Sequence, residues 1–366
     1  MPKVLSRRAL LRMVTGSVML GSSPVRSALA LGSPTPITIA NASGGLNLTM
    51  AALMRQQKFL ESFGLAPDVM AVADGTRILA AIVGGNADIS MASGFGQVFP
   101  AIEHGAGIKI LAGGALVPTI AMFTGKPYVN SLKDLEGRTV GTGSIGALVH
   151  QLVTALLHKY NVDVSKVRFV NIGSSADVFR AVSVGRVDAG PAAAALISEA
   201  ASYHVRPIPH GNMTVELPEY TYQGAWTSDH KIATNRDALV RALAAYAKLY
   251  RFTQTPEARE PFIQARRSVY PTVPESDHEA EWNYIQAYKP FAVNLTLTPD
   301  RLRYIQDLNV SFQVQNLTNT PHFTGIGTTL VPSLGGGATS PEGSFFGRVT
   351  SAGAMRSMAL MIRYNW

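Results

Sequence analysis

Residues 81–90 read Ala-Ile-Val-Gly-Gly-Asn-Ala-Asp-Ile-Ser, and residues 181–190 read Ala-Val-Ser-Val-Gly-Arg-Val-Asp-Ala-Gly. Both stretches follow the pattern A-x-x-x-G-x-x-D-x-[SG], one hundred residues apart. The pattern is typical of a helix that ends at a left-handed glycine, then a short turn and a strand with a small residue at its carboxyl end. It predicts two similar lobes, each an open α/β sheet, although such units also recur in α/β proteins by chance.

Short β-rich runs alternate with segments of helical periodicity around these two stretches. The predicted strands are residues 37–40, 68–72, 88–91, 108–112, 120–123, 138–141, 167–172 and 187–189. The predicted helices are residues 46–63, 77–83, 97–104, 147–160 and 177–184, and most of 235–307, for example 237–252 and 279–288. This alternation predicts mainly parallel sheets with helices on both faces.

The composition is that of a globular protein, with 46% hydrophobic and 15% charged residues in a chain of 366 residues. The absence of Cys excludes disulfides, thiolate metal sites and a cysteine nucleophile. Of the formal charge of +8, five units come from Lys3, Arg7, Arg8, Arg12 and Arg26. The nearly balanced remainder has no basic run interleaved with aromatics, so we expect no nucleic-acid partner.

The amino terminus resembles a twin-arginine secretion signal. Ser6-Arg7-Arg8-Ala9-Leu10-Leu11-Arg12 precedes a mildly apolar stretch, and Ala28-Leu29-Ala30 follows as a small-x-small cleavage pattern. The apolar stretch is too short and too polar to span a bilayer. We therefore predict that residues 1–30 are a signal peptide, cleaved near Ala30, and that the mature protein is periplasmic.

Small residues follow the predicted strands, where ligands bind in open α/β sheets. Exposed amides and hydroxyls at such turns form hydrogen bonds with polar or anionic groups, although Gly and Ser are also common turn residues. Their recurrence in both series favours a ligand site. The turns are residues 41–45, 74–76, 92–96, 142–146, 173–175 and 190–191.

Four phrases of the sequence, in this order, resemble the periplasmic solute-binding proteins of bacterial ABC importers. They are Ile37-Thr-Ile-Ala, Gly85-Asn-Ala-Asp-Ile-Ser90, Ser131-Leu-Lys-Asp-Leu-Glu-Gly-Arg-Thr-Val-Gly141 and Gly185-Arg-Val-Asp188. The most similar branch includes binding proteins for sulfonates, nitrate and thiamine-pyrimidine precursors. The resemblance covers about residues 37–315.

The resemblance implies a two-lobed type II periplasmic binding protein fold of the α/β class. Lobe one would comprise residues 31–117 and the mostly helical 224–315, and lobe two residues 118–223, with two crossing segments as the hinge. A small anionic or heteroaromatic solute that contacts both lobes would stabilise their closure. The implied partner is an ABC permease in the inner membrane, and the implied protein is a monomer without cofactor or enzymatic activity.

The resemblance also indicates ligand-binding positions. We expect them to be Ser43, Gly44, Ser93, Gly94 and Phe95 from lobe one, and Ser144, Ile145, Gly146, Ser174 and Pro191 from lobe two. Trp226, near the second crossing, is either an apolar wall of the site or an aromatic packed beneath the hinge.

Two motifs indicate other chemistries. Residues 141–146 match G-x-G-x-x-G, but the next predicted strand lacks the terminal acid that a dinucleotide site requires. Residues 142–146 approach the G-x-S-x-G nucleophile elbow, with Thr142 in place of the first glycine. A periplasmic α/β hydrolase or pyrimidine-handling enzyme on the same fold therefore stays as the alternative. Asp277-His278-Glu279 is more typical of a solvated helix start than of a metal site, and no metal is predicted.

After Asp307 the pattern changes to strict alternation of apolar and polar residues. Residues 309–323, the phrase Phe346-Gly-Arg-Val-Thr-Ser351 and the aromatic end at Trp366 resemble the last two strands of a TonB-dependent outer-membrane receptor. Two strands cannot close a barrel. We expect residues 316–366 to be a β-rich tail, from a gene fusion or an outer-membrane targeting signal.

Overall fold

The computed structural model describes residues 33–73 and 75–308. The predicted signal peptide at 1–30 and the predicted β-rich tail at 316–366 lie outside the described residues. The ten strands of the described part are β1 Thr35–Ala42, β2 Leu65–Val72, β3 Ser90–Ser93, β4 Ile108–Gly113, β5 Ile120–Thr124, β6 Thr139–Thr142, β7 Arg168–Asn171, β8 Ala189–Ala193, β9 Arg206–Asn212 and β10 Gly224–Ser228.

Helices cover most of the connections between these strands. They are α1 Gly45–Gln56, α2 Phe59–Ser62, α3 Gly75–Val83, α4 Val98–Glu103, α5 Leu148–Lys159, α6 Ser175–Ser183, α7 Met213–Glu216, α8 Asp229–Phe252, α9 Arg259–Val269, α10 Glu275–Tyr288 and α11, residues 299–308. None of the described helices is both long enough and apolar enough to cross a membrane.

The strands form two sheets with the same order. In the first, β2 pairs with β1, and β3, β10 and β4 pair in that order, while a bridge between Ile39 and Ile89 joins the two parts. In the second, the order is β7-β6-β8-β5-β9. The first sheet therefore has the order β2-β1-β3-β10-β4. The two orders are equivalent when β6, β7, β8 and β9 are matched with β1, β2, β3 and β4, and the crossing strand β5 with β10. This arrangement agrees with the α/β class and the two similar lobes predicted from the sequence.

One strand in each sheet is antiparallel to its neighbours. Strand β5 follows β4 in the chain but pairs in the second sheet, antiparallel to β8 and β9. Strand β10 follows β9 but returns to the first sheet, antiparallel to β3 and β4. The predicted mainly parallel sheets are thus mixed, because each lobe receives one strand from the segment that crosses over from the other.

The two echoing stretches fold alike. Gly85 and Gly185 end their helices in the left-handed region, at φ of 78° and 70°. The backbone N–H of the next residue then donates to the carbonyl of Ala81 or Ala181 at 2.8 Å in each case. This is the glycine-terminated helix that the sequence pattern predicts.

Three hydrophobic clusters form the core of the described residues. The first lies under α1, α8, α9 and α10, and the third lies between α6 and the second sheet. The second cluster contains residues from both sheets, among them Ala40 and Ile108 of the first and Ile120 and Val140 of the second. The two sheets are therefore joined by shared apolar packing.

Two further sequence expectations differ from the structure, and strands β9 and β10 were not predicted. The predicted helix 46–63 is broken at Lys58, which adopts a left-handed conformation with φ of 50°. The interpretation of Asp277 and His278 as solvated residues was wrong, because they are only 3% and 2% exposed. Both residues lie in the first turn of α10, where α9 packs against it and provides the buried Arg266 as a partner.

Candidate functional site

A small cavity lies where the first turns of α1 and α6 approach the two crossing segments, which are residues 114–119 between β4 and β5 and residues 213–223 between β9 and β10. Its volume is about 30 Å³, which is room for about two water molecules. It is lined by Gly44, Gly45, Leu46, Asn47, Ala115, Thr119, Ile120, Ser175, Ala193, Tyr222, Gln223, Glu281 and Phe291. The lining thus comes from the starts of α1 and α6, from β5 and β8 of the second sheet, from α10 and from both crossings.

The first turn of α1 carries the positive end of the helix into this cavity. The N-cap is Gly44, no side chain caps the helix, and the first turn has no acidic residue. The first backbone N–H groups of an α-helix have no acceptor within the helix and carry partial positive charge. This end of α1 is therefore suited to an anionic or hydrogen-bond-accepting group.

Gly45 lets this helix end approach α9 closely. A Cβ atom at position 45 would lie 3.3 Å from the hydroxyl oxygen of Tyr270. Burial raises the pKa of Tyr270, so its hydroxyl is neutral and available as a hydrogen-bond donor. Tyr270 is thus a further polar group beside the start of α1.

The start of α6 differs, because its own side chains cap it. The Ser174 hydroxyl accepts from the backbone N–H of Asp177 at 3.2 Å, and the Asp177 carboxylate accepts from the N–H of Ser174 at 3.1 Å. The hydrogen bond from Ser174 is the main reason that the pKa of Asp177 is lowered. This capping box satisfies donors that the first turn of α1 leaves open.

The crossing segments are hydrogen-bonded to each other beside the cavity. The N–H of Gly114 donates to the carbonyl of Gln223 at 2.8 Å, and the N–H of Gln223 donates to the carbonyl of Ala115 at 3.0 Å. A Cβ at position 114 would lie 3.1 Å from the Gln223 carbonyl oxygen, so only glycine fits here without displacement. Tyr222, next in line, has its pKa raised to about 12 by burial and by the nearby charge of Glu281.

Glu281 of α10 brings a carboxylate to the cavity. The residue is 2% exposed, and its Oε2 lies 3.0 Å from Nη1 of Arg266. Burial raises the pKa of Glu281, and the positive charge of Arg266 opposes that shift. Arg266 also donates from Nε to the carbonyl of Asp277 at 3.3 Å. Glu281 was not predicted as a site residue, although it lies four residues before the buried Ile285 and so on the inner face of α10.

Three of the predicted site residues lie at the cavity or next to it. Gly44 lines it. Ser43 precedes Gly44, and its backbone N–H donates to the carbonyl of Val72 at 2.9 Å. Ser174 precedes the lining residue Ser175.

The other predicted residues from the first sheet, and Trp226, lie in the interior. Ser93 is buried, and Phe95 and Trp226 are completely buried members of the second hydrophobic cluster. A Cβ at position 94 would lie 2.8 Å from the methyl groups of Leu148, the first residue of α5. The loop after β3 is therefore packed tightly against the helix that follows β6, which closes one end of the cleft between the sheets.

The predicted residues from the second sheet are more varied in position. Pro191 lies within β8, two residues before the lining residue Ala193. Ile145 is 58% exposed. Gly146 has a φ of 79°, and its N–H donates to Nδ1 of His150 at 3.3 Å. Ser144 lies in the same loop, and its carbonyl accepts from the N–H of Ala147 at 3.0 Å.

Comparison with known proteins matches this chain to one family. The sequence model described as NMT1/THI5 like matches residues 47–258. No curated protein matches the chain.

Solved structures share the fold. The alkanesulfonate-binding protein of Xanthomonas axonopodis, solved with MOPS, has a TM-score of 0.65 at 16% identity, covering 78% of this chain and 94% of that one. The periplasmic aliphatic sulphonate binding protein of Escherichia coli has a TM-score of 0.62 at 18% identity, covering 78% and 89%. A desulfurization enzyme has a TM-score of 0.51 at 17% identity, covering 78% and 92%. These similarities confirm the predicted two-lobed α/β fold.

Proposed function

Because the chain belongs to the NMT1/THI5-like family, we propose that it is the solute-binding component of an ABC importer. In this proposal it captures a small anionic or heteroaromatic solute between two lobes and delivers it to a permease in the inner membrane. Lobe one comprises residues 31–117 and 224–315, and lobe two residues 118–223. The predicted ligand-binding residues remain part of the proposal, and the lining residues of the cavity extend it.

The uncapped first turn of α1, at a cavity that the second sheet and both crossings also line, is the observation that carries the proposal. Its free amides provide an anion site without any basic side chain. In this proposal the lobes separate to admit a solute to the cavity. A solute that then contacts both lobes favours their closure by the contacts it gains. A permease can distinguish the two shapes.

Ligand-dependent thermal unfolding tests this function. A ligand that binds only the native state raises the melting temperature. We expect a rise with one class from a panel of alkanesulfonates, nitrate, aminopyrimidines and aromatic acids, and recovery of that compound unchanged after incubation. A cooperative transition that none of these compounds shifts contradicts the proposal.

The alternative is an enzyme on the same fold, as the similarity to a desulfurization enzyme allows. The hydroxyl group that lines the cavity from α6 belongs to Ser175. No Cys occurs in the chain, and no His is among the residues that line this cavity. Turnover of the bound compound, detected by chromatography, would favour the enzyme over the binding protein.

The proposal includes a periplasmic location and a monomeric state. Export requires that residues 1–30 act as a twin-arginine signal, so a reporter fused to them is exported and the variant Arg7→Lys with Arg8→Lys is retained. The relation of residues 316–366 to the last strands of a TonB-dependent outer-membrane receptor is also part of the proposal. A chain ended at residue 315 should bind the same solute with the same affinity, since the described site lies upstream of it.

A further inference from the structure

Glu281 offers an acceptor that the surrounding protein does not use. Among the residues that the structure describes, no donor forms a hydrogen bond to its Oε2. Arg266 is close enough for an ion pair, with 3.0 Å between Nη1 and Oε2, but its N–H groups are not directed at that oxygen. A buried carboxylate oxygen without a donor is unfavourable. Glu281 lines the same cavity as the first turn of α1.

Among the described residues, Arg266 is the one cation that forms an ion pair with Glu281. Its Nε group donates to the carbonyl of Asp277, so the same side chain serves two acidic residues of α10. The Asp277 carboxylate accepts a hydrogen bond from the Tyr203 hydroxyl. Burial lowers the pKa of His278, which is therefore neutral. The nearby tyrosines stay neutral because their pKa values are raised; they are Tyr222, Tyr270 and Tyr284.

The cavity therefore has two ends of opposite character. Amide donors and the positive end of α1 lie at Gly44 to Asn47. The carboxylate of Glu281 comes from α10. We propose that the ligand is a zwitterion, whose acidic group binds the first turn of α1 and whose protonated amine binds Glu281.

Glu281 would then determine specificity. An ammonium group gives a charge-assisted hydrogen bond to Oε2, whereas a methyl group in its place leaves that oxygen buried and without a donor. The carboxylate thus both favours the amine and disfavours its apolar counterpart. This inference rests on the proposed function, because it assumes that the cavity between the lobes is the solute site.

A pair of probes of nearly equal size tests the inference. They are 2-aminoethanesulfonate and propane-1-sulfonate, which differ in an ammonium group against a methyl group. Isothermal titration calorimetry should give at least tenfold tighter binding of the aminosulfonate to the unchanged protein. In Glu281→Gln that preference should fall to within about twofold.

Glu279→Gln is the matched control. Glu279 lies on the same helix and pairs with Arg259 on the exposed side, away from the cavity. This variant should keep the tenfold preference. Thermal unfolding without ligand shows whether Glu281→Gln is folded, and the comparison of the two probes on the unchanged protein does not depend on that variant.

The outcomes separate this inference from the proposed function. Equal or tighter binding of propane-1-sulfonate overturns the zwitterion while the solute-binding function stands. Binding of uncharged aromatics or nitrate alone does the same. Failure of every compound in both panels overturns the two together. A preference for the aminosulfonate that persists in Glu281→Gln overturns the role of Glu281.

Discussion

The carboxylates of Asp88 and Asp188 hold equivalent positions in the two sheets. Oδ2 of Asp88 accepts a hydrogen bond from the backbone N–H of Thr38 in β1 at 2.7 Å. Oδ2 of Asp188 accepts from the N–H of Thr139 in β6 at 2.8 Å. In return, the N–H groups of the two aspartates donate to the carbonyls of the same threonines, at 2.8 and 2.9 Å. Each aspartate thus ties the segment leading into the third strand to the first strand of its sheet.

The equivalence extends to the crossing strands. The hydroxyl of Thr227 in β10 donates to the carbonyl of Asp88, and the hydroxyl of Thr124 in β5 donates to the carbonyl of Asp188 at 2.7 Å. The two sites differ in the side chain that contacts the carboxylate. Asp88 forms an ion pair with Lys231 at 2.8 Å, whereas Asp188 accepts from the hydroxyl of Tyr128 at 2.6 Å.

Asp188→Asn should lower stability in a pH-dependent way. Burial opposes the charge of Asp188, but hydrogen bonds from Tyr128 and Thr139 outweigh it and hold its pKa below the usual value. The native pKa is thus below the unfolded value of about 4, so this stabilisation is present above about pH 4 and is lost as the pH falls through the native pKa. We expect a loss of about 1–3 kcal/mol at pH 7 and less at pH 3, measured by urea unfolding.

Asp237→Asn is the control for that measurement. The side chain of Asp237 is 84% exposed and pairs with Arg241 on the surface of α8. Its replacement should change the free energy of unfolding by less than about 1 kcal/mol. The same loss for Asp188→Asn at pH 7 and pH 3 would contradict the role assigned to its charge.

Gly94→Ala should hinder closure of the lobes. The new Cβ would lie 2.8 Å from both methyl groups of Leu148 and 3.0 Å from its Cβ, so the Leu148 side chain or the start of α5 must shift. We expect about tenfold weaker solute binding and a larger radius of gyration by small-angle X-ray scattering. Leu148→Ala in the same chain restores the space and should restore affinity. An unchanged affinity in Gly94→Ala alone would show that this contact does not limit closure.

Gly45→Pro, compared with Gly45→Ala, isolates one amide of the proposed anion site. Position 45 is the first of helix α1, where proline is tolerated, and Gly44 already has the extended conformation that precedes proline, with φ of −65° and ψ of 154°. Both variants add a Cβ near Tyr270, but only proline removes the N–H. Affinity for an anionic solute should be about ten- to hundredfold lower in Gly45→Pro than in Gly45→Ala. Equal affinities would place the anion elsewhere.

Arg266→Met should destabilise the fold by about 3–5 kcal/mol, because it leaves Glu281 buried without a counter-charge. Burial already raises the pKa of Glu281, and loss of Arg266 removes the opposing influence. The folded state then holds the proton more tightly than the unfolded chain, so stability falls as the pH rises from about 4 through the native pKa. Urea unfolding at pH 5 and pH 8 should show the larger loss at pH 8.

Arg267→Met provides the matched control. The neighbouring Arg267 is 45% exposed and pairs with Glu275, so its loss should change stability by less than about 1 kcal/mol at either pH. The double variant Arg266→Met with Glu281→Leu should recover most of the stability, since replacement of a whole buried pair by apolar groups is well tolerated. A similar loss in Arg266→Met and Arg267→Met would contradict the assigned ion pair.

Local patterns in the sequence predicted the framework well. In the two echoing stretches, the glycine ends a helix within the same stretch and the aspartate forms hydrogen bonds to the adjacent strand. The spacing of these two residues is therefore sufficient to predict the helix, turn and strand. Strands β9 and β10 were not predicted, and neither was the antiparallel direction of β5, because an isolated strand has no direction in a sequence pattern. It becomes defined only when the chain crosses from one sheet to the other.

The cavity was harder to predict, because its walls come from distant parts of the chain. Gly44 was found from the small residues that follow β1, whereas Tyr222 and Gln223 lie on a crossing segment without periodicity. Glu281 and Asp277 appear in a polar stretch that reads as surface, and only the packing of α9 against α10 buries them. The burial of a charged residue can be predicted only when its partner in the tertiary structure, here Arg266, is known.

The paired crossing segments have a mechanical consequence. Strands β4 and β10 are neighbours in the first sheet, and their pairing continues past the ends of both strands through the hydrogen bonds between Gly114, Gln223 and Ala115. Two unconnected tethers would allow the lobes to twist, slide and bend independently. A hydrogen-bonded ribbon resists stretching and shear in its plane but flexes across it. We therefore expect the lobes to open by rotation about one main axis.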